Sequence, residues 1–193
     1  MKFFDPANGR LGRVSGMPSV AYEGQGGLGA LAFAPDYETS NIIYLSWAKQ
    51  DGEDSRAVVG RGTLVCQQAD SCYIDDLTQI WQQSQAMSRP GHYSHRLAFS
   101  PDGQYLYVSS GDRQAQTPAQ DLSNNLGTVV RLNLDGTPAA GNPFADRGSP
   151  TDQIWTYGQR NMLGLEFDSS GNLWALEHGP AGGFIDSVYH RCR

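Results

Sequence analysis

Three stretches of the chain share one pattern of apolar and polar positions. LAFAPDYETSNIIYLSWA begins at Leu31, LAFSPDGQYLYVSSGD at Leu97 and LEFDSSGNLWALEHG at Leu165. Each runs Leu-x-Phe, a turn, then an aromatic or aliphatic segment that ends in polar residues. The alternation has a period of two, which predicts strands with one buried face. In the middle stretch, Pro101-Asp102-Gly103 predicts the turn, because Pro sets φ and Gly permits φ > 0. Phe33, Phe99 and Phe167 stand 66 and 68 residues apart. A regular step of one supersecondary unit is the signature of a repeat.

Further strands are expected at Val58–Val65, Val129–Leu134 and Ile154–Tyr157. Two to four short antiparallel strands per repeat make a β-propeller blade. Blades commonly repeat every ~40–50 residues, so the longer step implies insertions. These are expected at 50–60 and 114–127, which are polar and lack strand alternation. A sandwich would not account for three similar units at similar spacing. The fold class read from the sequence is therefore all-β, with about three blades of a propeller in the chain. The N-terminal MKFFDPANGRLG reads as a strand under way that enters an Asn-Gly turn, as though inside a larger fold.

Composition supports this reading. Among 193 residues, 23 are Gly and 10 Pro, only 18% are charged and 39% are hydrophobic, a turn-rich chain with enough apolar material for a core. A net charge of −6 without Lys/Arg clusters argues against nucleic acid as a partner. No apolar run is long enough for a membrane span, and the N-terminus carries no signal-peptide pattern. Cys66 and Cys72 flank a short loop, where a disulfide and a pair of free thiols are both admissible; Cys192 has no evident partner.

No phosphate-binding loop, CxxC, HExxH or nucleophile-elbow motif is present. Candidate chemistry lies instead at the ends of repeat strands, which a propeller gathers at one mouth of its channel. The stretch from Gly91 to Arg113 carries polar groups at both ends of a hairpin. His92 is a candidate general base, since an imidazole exchanges protons near neutral pH. Asp112 is a candidate to orient that ring by accepting its other N–H. Taken singly, a surface-loop histidine and a plain Gly-Asp turn are the commoner readings. Arg160-Asn161 offers a cationic fork beside an amide, suited to a planar anion or to a nearby carboxylate. Carbonyl oxygens of Gly179 and Pro180 are of the type that binds a hard cation such as Ca²⁺.

In their order, GQGGLGALAFAPDY, GHYSHRLAFSPDG, SSGDR, LGTVVRLNLDGTPAAGNPF, IWTYGQRNMLGLEF and LEHGPAGG make the chain resemble the soluble PQQ-dependent aldose sugar dehydrogenases, the glucose/sorbosone dehydrogenase family. The similarity runs from about Gly16 to Gly183 and covers the middle of that family's six-bladed β-propeller. It implies a partial catalytic domain over 1–183 that oxidises an aldose at the anomeric carbon to the lactone, with PQQ and Ca²⁺ as cofactors. It assigns His92 as the base, Asp112 as its support and Gln25 to the substrate. Arg160, Asn161 and His178 are assigned to PQQ, with Arg160 polarising the quinone, and Gly179 and Pro180 to Ca²⁺. It further implies a periplasmic or secreted location, an electron acceptor that the sequence does not identify, and admits a homodimer.

Three departures stand out. His95 occupies a position where a small residue is usual, so it either crowds the pocket or adds a second imidazole. Met162-Leu163 replaces Pro-Gln, which implies loss of a cofactor contact. Residues 184–193, FIDSVYHRCR, diverge from the family pattern and read as a tail foreign to the fold. A non-catalytic propeller module that binds sugar or protein is the alternative. A Ca²⁺-dependent propeller hydrolase would need side-chain carboxylates around the metal, where this motif offers carbonyls.

Overall fold

The computed structural model describes residues 1–179 and the backbone of 184–189. Among the described residues, thirteen strands fall into three antiparallel sheets, with a single parallel pairing. The strands are β1 (Lys2–Asp5), β2 (Arg10–Ser15), β3 (Leu28–Phe33), β4 (Ile42–Asp51), β5 (Asp54–Gln68) and β6 (Ser71–Gln82). There follow β7 (Ser94–Phe99), β8 (Tyr105–Ser110), β9 (Thr128–Asn133), β10 (Ile154–Tyr157), β11 (Met162–Phe167), β12 (Leu173–His178) and β13 (Phe184–Tyr189).

The three expected hairpins are β3–β4, β7–β8 and β11–β12, and each opens a sheet. Sheet one runs β3-β4-β5-β6 and then adds β2 and β1 at its outer edge; sheet two runs β7-β8-β9-β10; sheet three runs β11-β12-β13. The first strands of the three sheets are spatial neighbours, β3 beside β7 and β7 beside β11. Three meanders ranged side by side, with their first strands innermost, are consecutive blades of a β-propeller. The N-terminal strand and turn also appear, as β1 and β2 joined through Gly9 at φ 70°.

Two expectations need correction. Residues 50–60 are not an insertion: they are the tip of the β4–β5 hairpin, turning at Gly52 with φ 63°. Lys49, Gln50 and Asp51 of this tip are exposed, so no apolar alternation marks them as strand. In contrast, 114–127 is a loop holding one 3₁₀ turn, Thr117–Gln120. The second correction concerns burial, because the middle strands are buried on both faces. In β4, Tyr44 and Ala48 enter one core while Ile43, Leu45 and Trp47 enter another. In β8, Leu106 and Val108 pack towards sheet one, and Tyr107 packs towards sheet three. Period two in a blade separates two apolar cores, one on each side, where a half-solvated sheet would separate core from water.

The turn between β7 and β8 closes as its residues require, with Gly103 at φ 70° donating to the Ser100 carbonyl at 2.8 Å. Cys66 and Cys72 form a disulfide across paired positions of β5 and β6. Residues 184–189 pair with β12 as β13, with Leu173 opposite Tyr189 and His178 opposite Phe184. Cys192 lies outside the described residues.

Candidate active site

The register of the middle hairpin places its two polar ends together. Ser94 of β7 is opposite Ser110 of β8, so His92 and Asp112 each stand two residues beyond the pair, on the same side. The His92 Nδ1 lies 2.7 Å from Asp112 Oδ1, with the two residues only 8% and 3% exposed. A carboxylate accepts, so Nδ1 carries the proton, and the lone pair is left on Nε2. Asp112 Oδ1 also accepts the Gln114 backbone N–H at 2.8 Å. Between the partners, Gly111 is required: a Cβ there would stand 1.8 Å from the His92 carbonyl oxygen.

Gln25 reaches this pair from the loop before β3. Its Oε1 accepts the His92 backbone N–H at 2.8 Å, while its own backbone N–H donates to the Pro90 carbonyl. Arg160 and Asn161 approach from the next blade, in the link between β10 and β11. The Asp112 N–H donates to the Arg160 carbonyl at 2.8 Å, so base support and cation share one backbone contact. Asn161 Oδ1 accepts the Ser94 N–H at 3.1 Å, and Ser94 Oγ accepts the Met162 N–H at 2.9 Å.

Two contributors were not singled out in the sequence. Glu177, on β12, accepts the backbone N–H groups of Arg160 at 2.7 Å and Asn161 at 3.1 Å. Its signal was available: it occupies an inward position of an alternating strand, where an unpartnered charge is costly. Arg113 is wholly buried and donates to the carbonyls of Gly91, Ser55, Met87 and Arg89, lying 3.8 Å over the Tyr93 ring. Desolvation pulls its pKa below the ordinary guanidinium value. Its role is to tie the loops behind His92 together.

A cleft of about 280 Å³ opens beside these groups, lined among others by Gln25, Ser94, His95, Asn161, Leu163 and His178. The Arg160 Nη1 donates to the His178 carbonyl at 3.3 Å, and among the described residues this guanidinium forms no salt bridge. His178 is exposed at the cleft, and Gly179 is buried next to it. Pro180, the second carbonyl expected to bind Ca²⁺, lies outside the described residues. Of the departures, Met162 is buried in the core between sheets two and three, while Leu163 turns an apolar side chain to the cleft. His95 lines the same cleft and is 7% exposed. The structure thus brings Gln25, His92, Asp112, Arg160, Asn161 and His178 to one mouth of the blade array. A base, a neighbouring amide and a cation with no carboxylate partner among the described residues can together take a proton and hold an anion.

The family model for glucose/sorbosone dehydrogenases matches residues 1–189. The chain is 34% identical over 186 residues to the aldose sugar dehydrogenase YliI of Escherichia coli strain K12, a match covering 95% of this chain and 49% of that protein. The apo-form crystal structure of the soluble aldose sugar dehydrogenase from Escherichia coli superposes with a TM-score of 0.89 at 33% identity, covering 98% of this chain and 54% of that one. A PQQ-bound aldose sugar dehydrogenase from Streptomyces coelicolor gives a TM-score of 0.77 at 26% identity, covering 97% and 52%. The chain spans about half the length, or less, of the curated relatives it matches.

Proposed function

The chain belongs to the glucose/sorbosone dehydrogenase family, and from that premise we propose that it carries the base and cofactor-side groups of a PQQ-dependent aldose dehydrogenase. The reaction is oxidation of the sugar at its anomeric carbon to the lactone. The observation that carries this reading is the His92–Asp112 pair at 2.7 Å, joined through the Asp112 N–H to Arg160 on the next blade.

Each residue has a role in that chemistry. His92 accepts the proton of the anomeric hydroxyl at Nε2 as the anomeric C–H departs as hydride, so that a C=O bond replaces the O–H and C–H bonds. Asp112 fixes the tautomer and stabilises the imidazolium that forms. Gln25 anchors the His92 backbone, and its amide faces the sugar. PQQ, when bound, supplies the two-electron acceptor for the hydride. The residues present fit one edge of such a group. Arg160 is a guanidinium without a carboxylate partner among the described residues, and Asn161 is held beside it by Ser94. Arg160 and Asn161 would hold a planar, multiply anionic cofactor through that fork, and the guanidinium would offset its negative charge. Ca²⁺ is assigned to the carbonyls of Gly179 and Pro180. The Cys66–Cys72 disulfide supports an oxidising compartment such as the periplasm.

The test is aldose-dependent reduction of an artificial electron-accepting dye. Reduction is expected only after PQQ and Ca²⁺ are added, and His92→Ala should lower kcat by about 10²–10⁴-fold. Turnover without PQQ, or a His92→Ala variant as active as the parent, overturns the assignment.

A further inference from the structure

His95 is a second imidazole in the cleft, apart from the His92–Asp112 pair. Its backbone holds φ 68°, next to Ser94 at 63°, in a region that side-chain-bearing residues rarely adopt. Room is made for it deliberately: a Cβ on Gly29 would stand 2.4 Å from His95 Cβ. Its carbonyl accepts the Ser46 hydroxyl at 2.8 Å, and its ring stacks on Tyr93 with centroids 5.1 Å apart. Neither Nδ1 nor Nε2 has a hydrogen-bond partner among the described residues, although both are buried. Burial, with the nearby charges of Arg113 and Arg96, lowers its pKa to about 3. The ring is therefore neutral in use and carries one N–H donor and one lone-pair acceptor.

A buried, unsatisfied polar ring on a strained backbone is costly twice over, and strain of this kind collects where ligands are held. The cleft it lines also carries Gln25, Asn161 and His178, and at about 280 Å³ it suits a monosaccharide. A sugar hydroxyl is both donor and acceptor, which matches either ring nitrogen once the ring, whose nitrogens are closed to solvent as it stands, turns to face the cleft. Resting on the sugar-oxidation reading, we propose that His95 is a specificity-determining residue, hydrogen-bonding a hydroxyl of the aldose other than the anomeric one. Tyr93 and Gly29 then act as its positioning surface.

Two variants separate hydrogen bonding from bulk. His95→Phe keeps an aromatic ring to stack on Tyr93 but removes both nitrogens, and His95→Gly removes the ring and relieves the backbone. D-glucose binding is measured by calorimetry on the chain loaded with PQQ and Ca²⁺, beside KM and kcat in the dye assay and the thermal midpoint. His95→Phe should weaken D-glucose binding and raise KM by about three- to tenfold, with kcat changed less. Both variants should melt at or above the parent temperature. A His95→Phe variant with the parent's dissociation constant and KM overturns the proposal, and leaves the sugar-oxidation reading intact if His92→Ala is inactive. A parent chain that binds no aldose overturns both.

Discussion

The two histidines of the Gly91–Arg113 hairpin show how one side-chain type takes two characters from its surroundings. His92 has a carboxylate on its Nδ1, whereas His95 stacks on Tyr93 against Gly29, near the cations Arg113 and Arg96, and among the described residues neither of its ring nitrogens is hydrogen-bonded. The pH dependence of stability follows for His95. Unfolded, it binds a proton near pH 6.5, and folded only near pH 3, so the unfolded state holds the extra proton between those values. Folding therefore carries no protonation penalty from this ring above pH 6.5, and stability falls as the pH drops towards 3, by about 2 kcal/mol at pH 5. Denaturant melts at pH 7 and pH 5 should show that loss in the parent and a smaller one in His95→Phe. His92, Asp112 and Arg160 were legible because strand ends in a repeat draw attention to polar residues. Glu177 escaped notice because Leu-Glu-His reads as an ordinary strand end, and its two backbone partners lie 17 and 16 residues earlier, just before β11.

At the scale of the element, the hairpins were legible and their surroundings were not. Leu-x-Phe, a turn and an apolar strand recur because each blade needs the same innermost pair. The β4–β5 tip was missed since it projects beyond the core, leaving Lys49, Gln50 and Asp51 no apolar neighbour to alternate with. A shorter connection, the disulfide, pins the other end of β5, where the chain turns within four residues of Cys66 into β6 and pairs it with Cys72. Replacing both with Ser should lower stability by about 2 kcal/mol, as a small closed loop warrants. The loss should be abolished when the parent is melted under reducing conditions, and activity should be little changed because the bridge is remote from the cleft.

Across the whole molecule, stability resides between blades. The core shared by sheets one and two gathers Tyr44, Ala57, Val59, Trp81, Leu106, Val108, Val130 and Leu132, and the core shared by sheets two and three gathers Ala98, Tyr107, Trp155, Met162 and Leu165. Leu106 is fully buried in the first of these. Leu106→Ala should cost about 2–5 kcal/mol, seen as a lower denaturant midpoint with an unchanged slope. A much smaller loss would mean that the blades stand independently. The sequence carried the repeat and its count, since spacing survives when individual residues vary. It could not carry which face meets which blade, because apolar residues on both faces of β4 and β8 look like a continuous run until the neighbouring sheets are in place.

The hydrogen bonds that cross between β7–β8 and β11–β12 have a consequence for how the site works. The Asp112 amide is held by the Arg160 carbonyl, and Ser94 is bonded to Asn161 and Met162. Proton acceptor and cation thus sit on different blades, yet neither can shift without breaking the other's backbone contacts. The backbones that carry them are tied together in the folded chain, so ligand capture needs no closing movement between the two blades. Such a site is a standing mould: it discriminates among ligands by refusal of those that do not fit, because it has little freedom to reshape itself around them.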